Sequence, residues 1–274
     1  MDARVQRRVQ RYGWDKAAAF YEQYWATQLE PAQRRLMELA APRPGERVLD
    51  VACGTGLVTF PAAEAVGAAG AVLATDLSDL MVARVAEEAA RRGLSQVSSR
   101  RMDAEKLELG DESFDLALCS LGLMYAPDPL KALAEMYRVL KPGGRVAVSS
   151  WGSRNRCGWA EIFPIVERRV ASDVCPLFFQ LGSADNLKHA LERCRFADIE
   201  VVRVSSPLVY ESAADAIGAA FAGGPVALAY SRFNPATQAE AEAEYLASIE
   251  PWREGGVYRI PGEFVVARAF RAAA

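Results

Sequence analysis

The stretch Arg47-Val48-Leu49-Asp50-Val51-Ala52-Cys53-Gly54-Thr55-Gly56 decides how the rest of the chain is read. Val48, Leu49 and Val51 make a short apolar run suited to a strand covered on both faces. Gly54 and Gly56 then permit a sharp turn and a close backbone approach by a ligand. A helix starting near Leu57 leaves free N–H groups at that turn, a setting that favours an anionic ligand group. Asp50, near the strand end, offers a carboxylate to a ligand carrying positive charge or donor groups.

Outward from this stretch, strand and helix alternate. Strands are predicted over 48–52, 71–75, 97–102, 114–120 and 145–150, with helices over 57–66, 79–92 and 129–140. Ser78 reads as a helix N-cap, Gly93 as a helix stop and Lys141-Pro142-Gly143-Gly144 as a tight turn. Such alternation predicts a parallel, doubly wound α/β sheet. Acidic residues recur at strand ends, at Asp50, Asp76 and Asp103, where open α/β sheets bind ligands.

The flanks are helical. Residues 1–40 carry Arg4, Arg7, Arg8 and Arg11 on one stripe and Val5, Val9 and Tyr12 on another. That pattern predicts a helix packed by its apolar side with the basic face in solvent. Beyond Trp151 the expectations are a helix over 157–171, a helix over 184–194 capped by Ser183, and a strand over 199–204. Two helices then follow over 211–250 around Gly223-Gly224-Pro225, and a last strand over 257–270. No second core is visible, so one domain is expected: helices at 1–40, a core of 41–205 and 257–270, and an inserted cover at 211–253.

Composition narrows the function classes. A net charge of −3 does not point to nucleic acid, and 51% hydrophobic residues supply an ample core. The five cysteines form no C-x-x-C pair, and the lone His189 excludes a multi-histidine site, so no metal is expected. The longest uncharged run, 216–231, is short of the ~20 residues that span a bilayer, and no signal peptide is visible. These features predict a soluble, cytoplasmic protein. Cys53 and Cys119 read as small apolar fillers.

The glycine loop resembles motif I of the class I S-adenosylmethionine-dependent methyltransferases. A dinucleotide fingerprint needs Gly at position 59, where Thr59 stands. The segments 114–128 and 135–145, with Arg138-Val139-Leu140-Lys141-Pro142-Gly143-Gly144, resemble the ubiquinone/menaquinone-biosynthesis branch of that family. The likeness spans roughly residues 14–151. It implies a Rossmann-like, seven-stranded, mostly parallel sheet with helices on both faces. It also implies a helical lid at the N-terminus and inserted helices before the last strand.

The resemblance further implies S-adenosylmethionine as methyl donor. Motif I contributes Asp50, Ala52, Cys53, Gly54, Thr55 and Gly56. Asp76 can accept both ribose hydroxyls, and Leu77 and Met81 would wall the adenine. Met102, Asp103 and Ala104 would meet the adenine edge, with Ser120 nearby. Tyr21 or Tyr24 would cover the sulfonium end, or else simply pack. Ser120-Leu121-Gly122-Leu123 lacks the Asn/Asp-Pro-Pro-aromatic signature of base methylation. The expected reaction is therefore in-line transfer to a small hydrophobic or aromatic acceptor, releasing S-adenosylhomocysteine. No fixed catalytic residue is required; His189, Tyr125 and Asp128 are the candidates for a base. The alternatives are an NAD-dependent oxidoreductase and a non-catalytic S-adenosylmethionine-binding protein.

Overall fold

Val48, Leu49 and Val51 are almost fully buried because β1 (Arg47–Val51) lies in the middle of a sheet, pairing in parallel with a strand on either side. The computed structural model describes residues 2–170 and 178–273. Two helices, α1 (Ala3–Ala17) and α2 (Tyr21–Ala40), precede β1. Then come α3 (Thr59–Val66), β2 (Ala71–Asp76), α4 (Asp79–Arg92), β3 (Val97–Arg101), β4 (Phe114–Ser120), α5 (Pro129–Val139) and β5 (Leu140–Trp151). The second half holds α6 (Ile162–Glu167), α7 (Asn186–Arg193), β6 (Ala197–Ser205) and β7 (Leu208–Tyr210). Three helices, α8 (Ala213–Ile217), α9 (Ala227–Tyr230) and α10 (Pro235–Ile249), lead into β8 (Arg253–Glu254), β9 (Val257–Ile260) and β10 (Glu263–Phe270).

Among the described residues the main sheet has seven strands in the order β3-β2-β1-β4-β5-β10-β6. Only β10 runs antiparallel to its neighbours. Successive side chains of a strand face opposite sides, and both sides are covered. Val48, Val72 and Leu116 pack with Leu36 of α2 and Val66 of α3. Leu49, Ala117 and Val148 pack with Met136 of α5 and Leu191 of α7. The expected seven-stranded, mostly parallel sheet with helices on both faces is therefore the observed one. Chain order reverses between β1 and β4, which opens a crevice at their C-terminal ends.

Local signals were read well where they act locally. Ser78 caps α4 through Met81 N–H at 3.1 Å, and Gly93 ends it in a left-handed conformation. Ser183 does not cap α7: Asp185 precedes the helix, and the Ser183 hydroxyl donates to the Phe179 carbonyl. The predicted turn at 141–144 is a bulge within β5. Phe114 pairs with Leu140 but Leu116 with Arg145, so the intervening residues loop out. The predicted last strand is two: β9 leaves the main sheet to pair with β7 and β8. The helix expected over 157–171 is a 3-10 turn at Gly158–Glu161 followed by α6, and Ala171 and Cys175 lie outside the described residues.

The largest departure is α1. Val5, Val9 and Tyr12 are exposed, while two of the arginines turn inward. Arg7 pairs with Asp103 at 2.9 Å and with Glu105, and Arg11 pairs with Asp79. Asp15 accepts a hydrogen bond from the Ser78 hydroxyl at 2.5 Å. Helix α1 thus buries Gln10, Gly13 and Ala17 and ties Arg7 and Arg11 to residues after β2 and β3, leaving the predicted apolar stripe in solvent.

Candidate ligand-binding cleft

The C-terminal ends of β3, β2, β1, β4 and β5 line one cleft of about 1020 Å3, counted to its open mouth. From β2 comes Asp76. Its carboxylate accepts the Gly54 N–H at 3.0 Å and the Ser78 N–H at 2.9 Å. Burial nonetheless raises its carboxyl above the usual carboxylate range, because desolvation outweighs those bonds. Asp76 therefore clamps the glycine loop to the start of α4 while lining the cleft.

Strain gathers where β1 and β4 end. Ala52 and Leu121 both have φ of +55°, left-handed for residues with a Cβ. Such conformations cost about 1–3 kcal/mol each and persist only where the surroundings hold them. Gly122 lies between them: a Cβ there would sit 2.5 Å from Ala52 Cβ and 2.9 Å from Cys119 Sγ. The two strand ends can approach this closely only with glycine at 122. Gly56 has φ of +98°, and a Cβ would meet the Phe60 ring at 2.6 Å.

Of the residues singled out from sequence, the cleft brings together Tyr21, Ala52, Gly54, Asp76, Leu77, Met81, Met102, Asp103, Ala104, Ser120 and Tyr125. Burial and the neighbouring Asp76 raise the Tyr21 phenol well above its usual range. Asp103 gives one carboxylate oxygen to Glu105 N–H at 2.9 Å and the other to Arg7.

The remaining candidates lie elsewhere. Asp50 is fully buried behind the loop, where the Thr59 hydroxyl donates to it at 2.5 Å. Burial pushes its carboxyl up to about 7. Cys53 and Cys119 are buried, and desolvation raises both thiols, Cys119 to about 12. Neither is poised as a nucleophile, in keeping with their reading as fillers. Thr55 and Gly56 border a separate groove with Arg84 and Arg91. Tyr24 packs its ring against Gly218. Asp128 is an exposed N-cap of α5, accepting from Leu130 and Lys131 N–H at 3.1 Å each. His189 is exposed on α7, away from the cleft.

Sequence reasoning placed Gly224 and Pro225 in the inserted cover at 211–253 but missed the rest of the far wall. Trp14, Trp25, Trp151, Trp159, Leu29 and Met124 line it, with Gly224 and Pro225 from the segment between α8 and α9. Trp25 and Trp159 lie 5.9 Å apart, and Trp151 and Trp159 4.7 Å apart, all edge-on. Their positions share no sequence spacing, so only an excess of tryptophan could have pointed to them.

Residues 28–162 match the model of the ubiE/COQ5 methyltransferase family. The matched stretch is 135 of the 274 residues, just under half of the chain. Aklanonic acid methyltransferase DauC of Streptomyces sp. strain C5 is 39% identical over 137 residues, covering 50% of this chain and 62% of that protein. Nocamycin O-methyltransferase of Saccharothrix syringae is 42% identical over 137 residues, covering 50% of this chain and 49% of its own. The alignments thus span about half to three-fifths of these relatives' lengths. A crystal structure of a putative methyltransferase from Bacillus halodurans shares the fold, with a TM-score of 0.62 and 21% identity over 88% of this chain and 99% of that one. Among the described residues, no cluster of His, Cys, Asp or Glu could hold a metal ion. No described helix is long and apolar enough to cross a membrane.

Proposed function

We propose that this chain moves a methyl group from S-adenosylmethionine to a small organic acceptor with an apolar or aromatic body. One observation carries the proposal: a single cleft crosses the β1/β4 crevice with a graded lining. The charged side chains that line it are Arg7, Asp76 and Asp103, and the two carboxylates follow β2 and β3. Tryptophans and Met124 line it beyond β4 and β5.

The residues fit the donor. Asp76 reaches the cleft with its orientation fixed by two backbone N–H groups, ready for hydroxyl donors. A Cβ on Gly54 would point into cleft space, with Tyr21 the nearest group at 3.8 Å. S-adenosylmethionine supplies a methyl already activated on a positive sulfur. The chain's part is to align the partners and keep water out. In this reading Asp76 holds the ribose, Leu77 and Met81 flank the adenine, and Asp103 meets its edge. Tyr21 and Trp14, edge-on at 5.7 Å, close the cleft over the reacting end. Tyr125 is the base candidate that lines the cleft. The segment 211–253 covers the acceptor, with Phe221 and Tyr245 packed into the same apolar cluster as Trp25 and Trp159.

The two curated relatives are named for small organic molecules, which agrees with a small acceptor here. Methyl-labelled S-adenosylmethionine and a panel of phenols, enols and amines test the proposal. Label should enter at least one acceptor, and Asp76→Ala should abolish the transfer. A panel in which nothing accepts label from a protein that binds S-adenosylhomocysteine would refute methyl transfer.

A further inference from the structure

Six large apolar residues are exposed among the described residues, and five of them gather around α1. Val5, Val9 and Tyr12 lie on α1 itself at i, i+4 and i+7, between 38% and 48% exposed. Phe20 sits between α1 and α2. Leu80 is the second residue of α4, and its N–H donates to Asp15 of α1 at 3.3 Å. Scattered singly such residues mean little, but gathered they mark a surface that meets something apolar. The same face is basic. Lys16 continues the apolar stripe and Arg4 and Arg8 run alongside it, all three exposed and in no ion pair among the described residues. The nearby acids are engaged or turned away. Asp2 caps α1, Asp15 accepts from Ser78 and Leu80, and Asp79 pairs with Arg11 and Arg101. Glu22 borders the separate groove beside Thr55.

We propose that this face of α1 docks the chain on an anionic lipid surface, with the helix lying in the plane of the headgroups. Apolar side chains interleaved with lysine and arginine on one helix face suit a bilayer interface: the rings and branched chains enter the acyl boundary while the cations reach lipid phosphates. The chain's net charge of −3 gives no general attraction to anions, so attachment is set by this face. A second copy of the chain fits it poorly, because a two-fold pairing would set Arg4, Arg8 and Lys16 against their own copies. Single apolar side chains from α1, the link to α2 and α4 also suit a deformable surface better than a shaped partner. The other side of the same helix supplies Arg7, Gln10 and Trp14 to the cleft. On the reading of that cleft as a methyl-transfer site, docking brings it to acceptors dissolved in the bilayer.

The test is co-sedimentation of the full chain with vesicles of phosphatidylcholine alone and of two parts phosphatidylcholine to one part phosphatidylglycerol. Wild type should attach to the anionic vesicles and not to the neutral ones, and added salt should release it. Each cation near an anionic surface strengthens attachment about fivefold, so the triple variant Arg4→Gln, Arg8→Gln, Lys16→Gln should lose about a hundredfold. Val5→Ser with Val9→Ser and Tyr12→Ser should weaken attachment with every charge kept. Calorimetric titration with S-adenosylhomocysteine should be the same in wild type and both variants, since none of these residues lines the cleft. A wild type that ignores anionic vesicles, or attaches equally to both kinds, overturns the proposal, whatever the variants do. So does a triple variant that binds them like wild type. A wild type that ignores vesicles but dimerises in light scattering, with the serine variant monomeric, would give the face to a second copy instead. Vesicle attachment without any S-adenosylhomocysteine binding would leave the docking face standing and sink the methyl-donor reading.

Discussion

Asp50 offers a test of where the motif's acidic residue sits. It is fully buried, with Oδ2 held by Thr59 and Oδ1 without a partner among the described residues. Burial lifts its carboxyl from an ordinary 3.8 to about 7, with Asp76 adding to the rise and the Thr59 bond opposing it. Between those values the folded protein keeps a proton that the unfolded chain releases. Stability must then fall as pH rises through that window, and the group adds no slope beyond either end. At about 1.36 kcal/mol per pH unit, the whole window is worth about 4 kcal/mol, and the part from pH 5 to 7 about 3 kcal/mol. Asp50→Asn keeps an acceptor for Thr59 and removes the titration. Asp76 is also raised and adds a slope of the same sign, but it does so in both proteins. Urea denaturation of the two at pH 5, 6, 7 and 8 should show the variant gaining on wild type up to about pH 7, then running level with it. Parallel curves across the range would refute the argument and place Asp50 in contact with solvent or a compensating charge.

Other expectations follow from the same geometry. Gly122→Ala should destabilise the fold by about 1–3 kcal/mol, because Ala52 and Cys119 leave no room for a methyl; an unchanged denaturation midpoint would show that the strand ends can part. Arg7→Ala should lower amide-exchange protection in residues 3–17 while leaving residues 129–139 unchanged, since α1 is held by Asp103 and Glu105; equal protection would mean its apolar contacts suffice. His189→Ala should leave turnover within about twofold, since an exposed surface substitution of this kind moves stability by about 0.5 kcal/mol or less; a larger loss would return His189 to the site.

What could be read in advance divides along physical lines. β1, β2 and β4 are buried runs flanked by glycine, proline or a capping serine, so their pattern and their ends are written in adjacent residues. The offsets of Asp76 and Asp103 follow from strand ends and were legible for the same reason. Helix α1 was misread because periodicity separates Arg7 and Arg11 from Val5 and Val9 without saying which stripe faces inward. That choice is made by Asp79, Asp103 and Glu105, about 70 to 100 residues away, whose pairing offsets the exposure of the apolar stripe. The tryptophan wall was hidden for a similar reason. Trp25 and Trp159 meet only because α2 and the turn after β5 converge on one end of the sheet. The three-residue β7 is too short to show alternation, and Pro261-Gly262 let β9 and β10 part into different sheets.

The most direct measurement is calorimetric titration with S-adenosylhomocysteine of wild type and Gly54→Val, with NADH as the parallel ligand. Gly54 lines the cleft at φ of +55°, beside Tyr21, so a branched side chain should block the site and distort the loop. Saturable binding of S-adenosylhomocysteine by wild type alone, with no response to NADH, is the predicted result. Binding of NADH, or equal S-adenosylhomocysteine affinity in both proteins, would contradict the account of the cleft as a methyl-donor site.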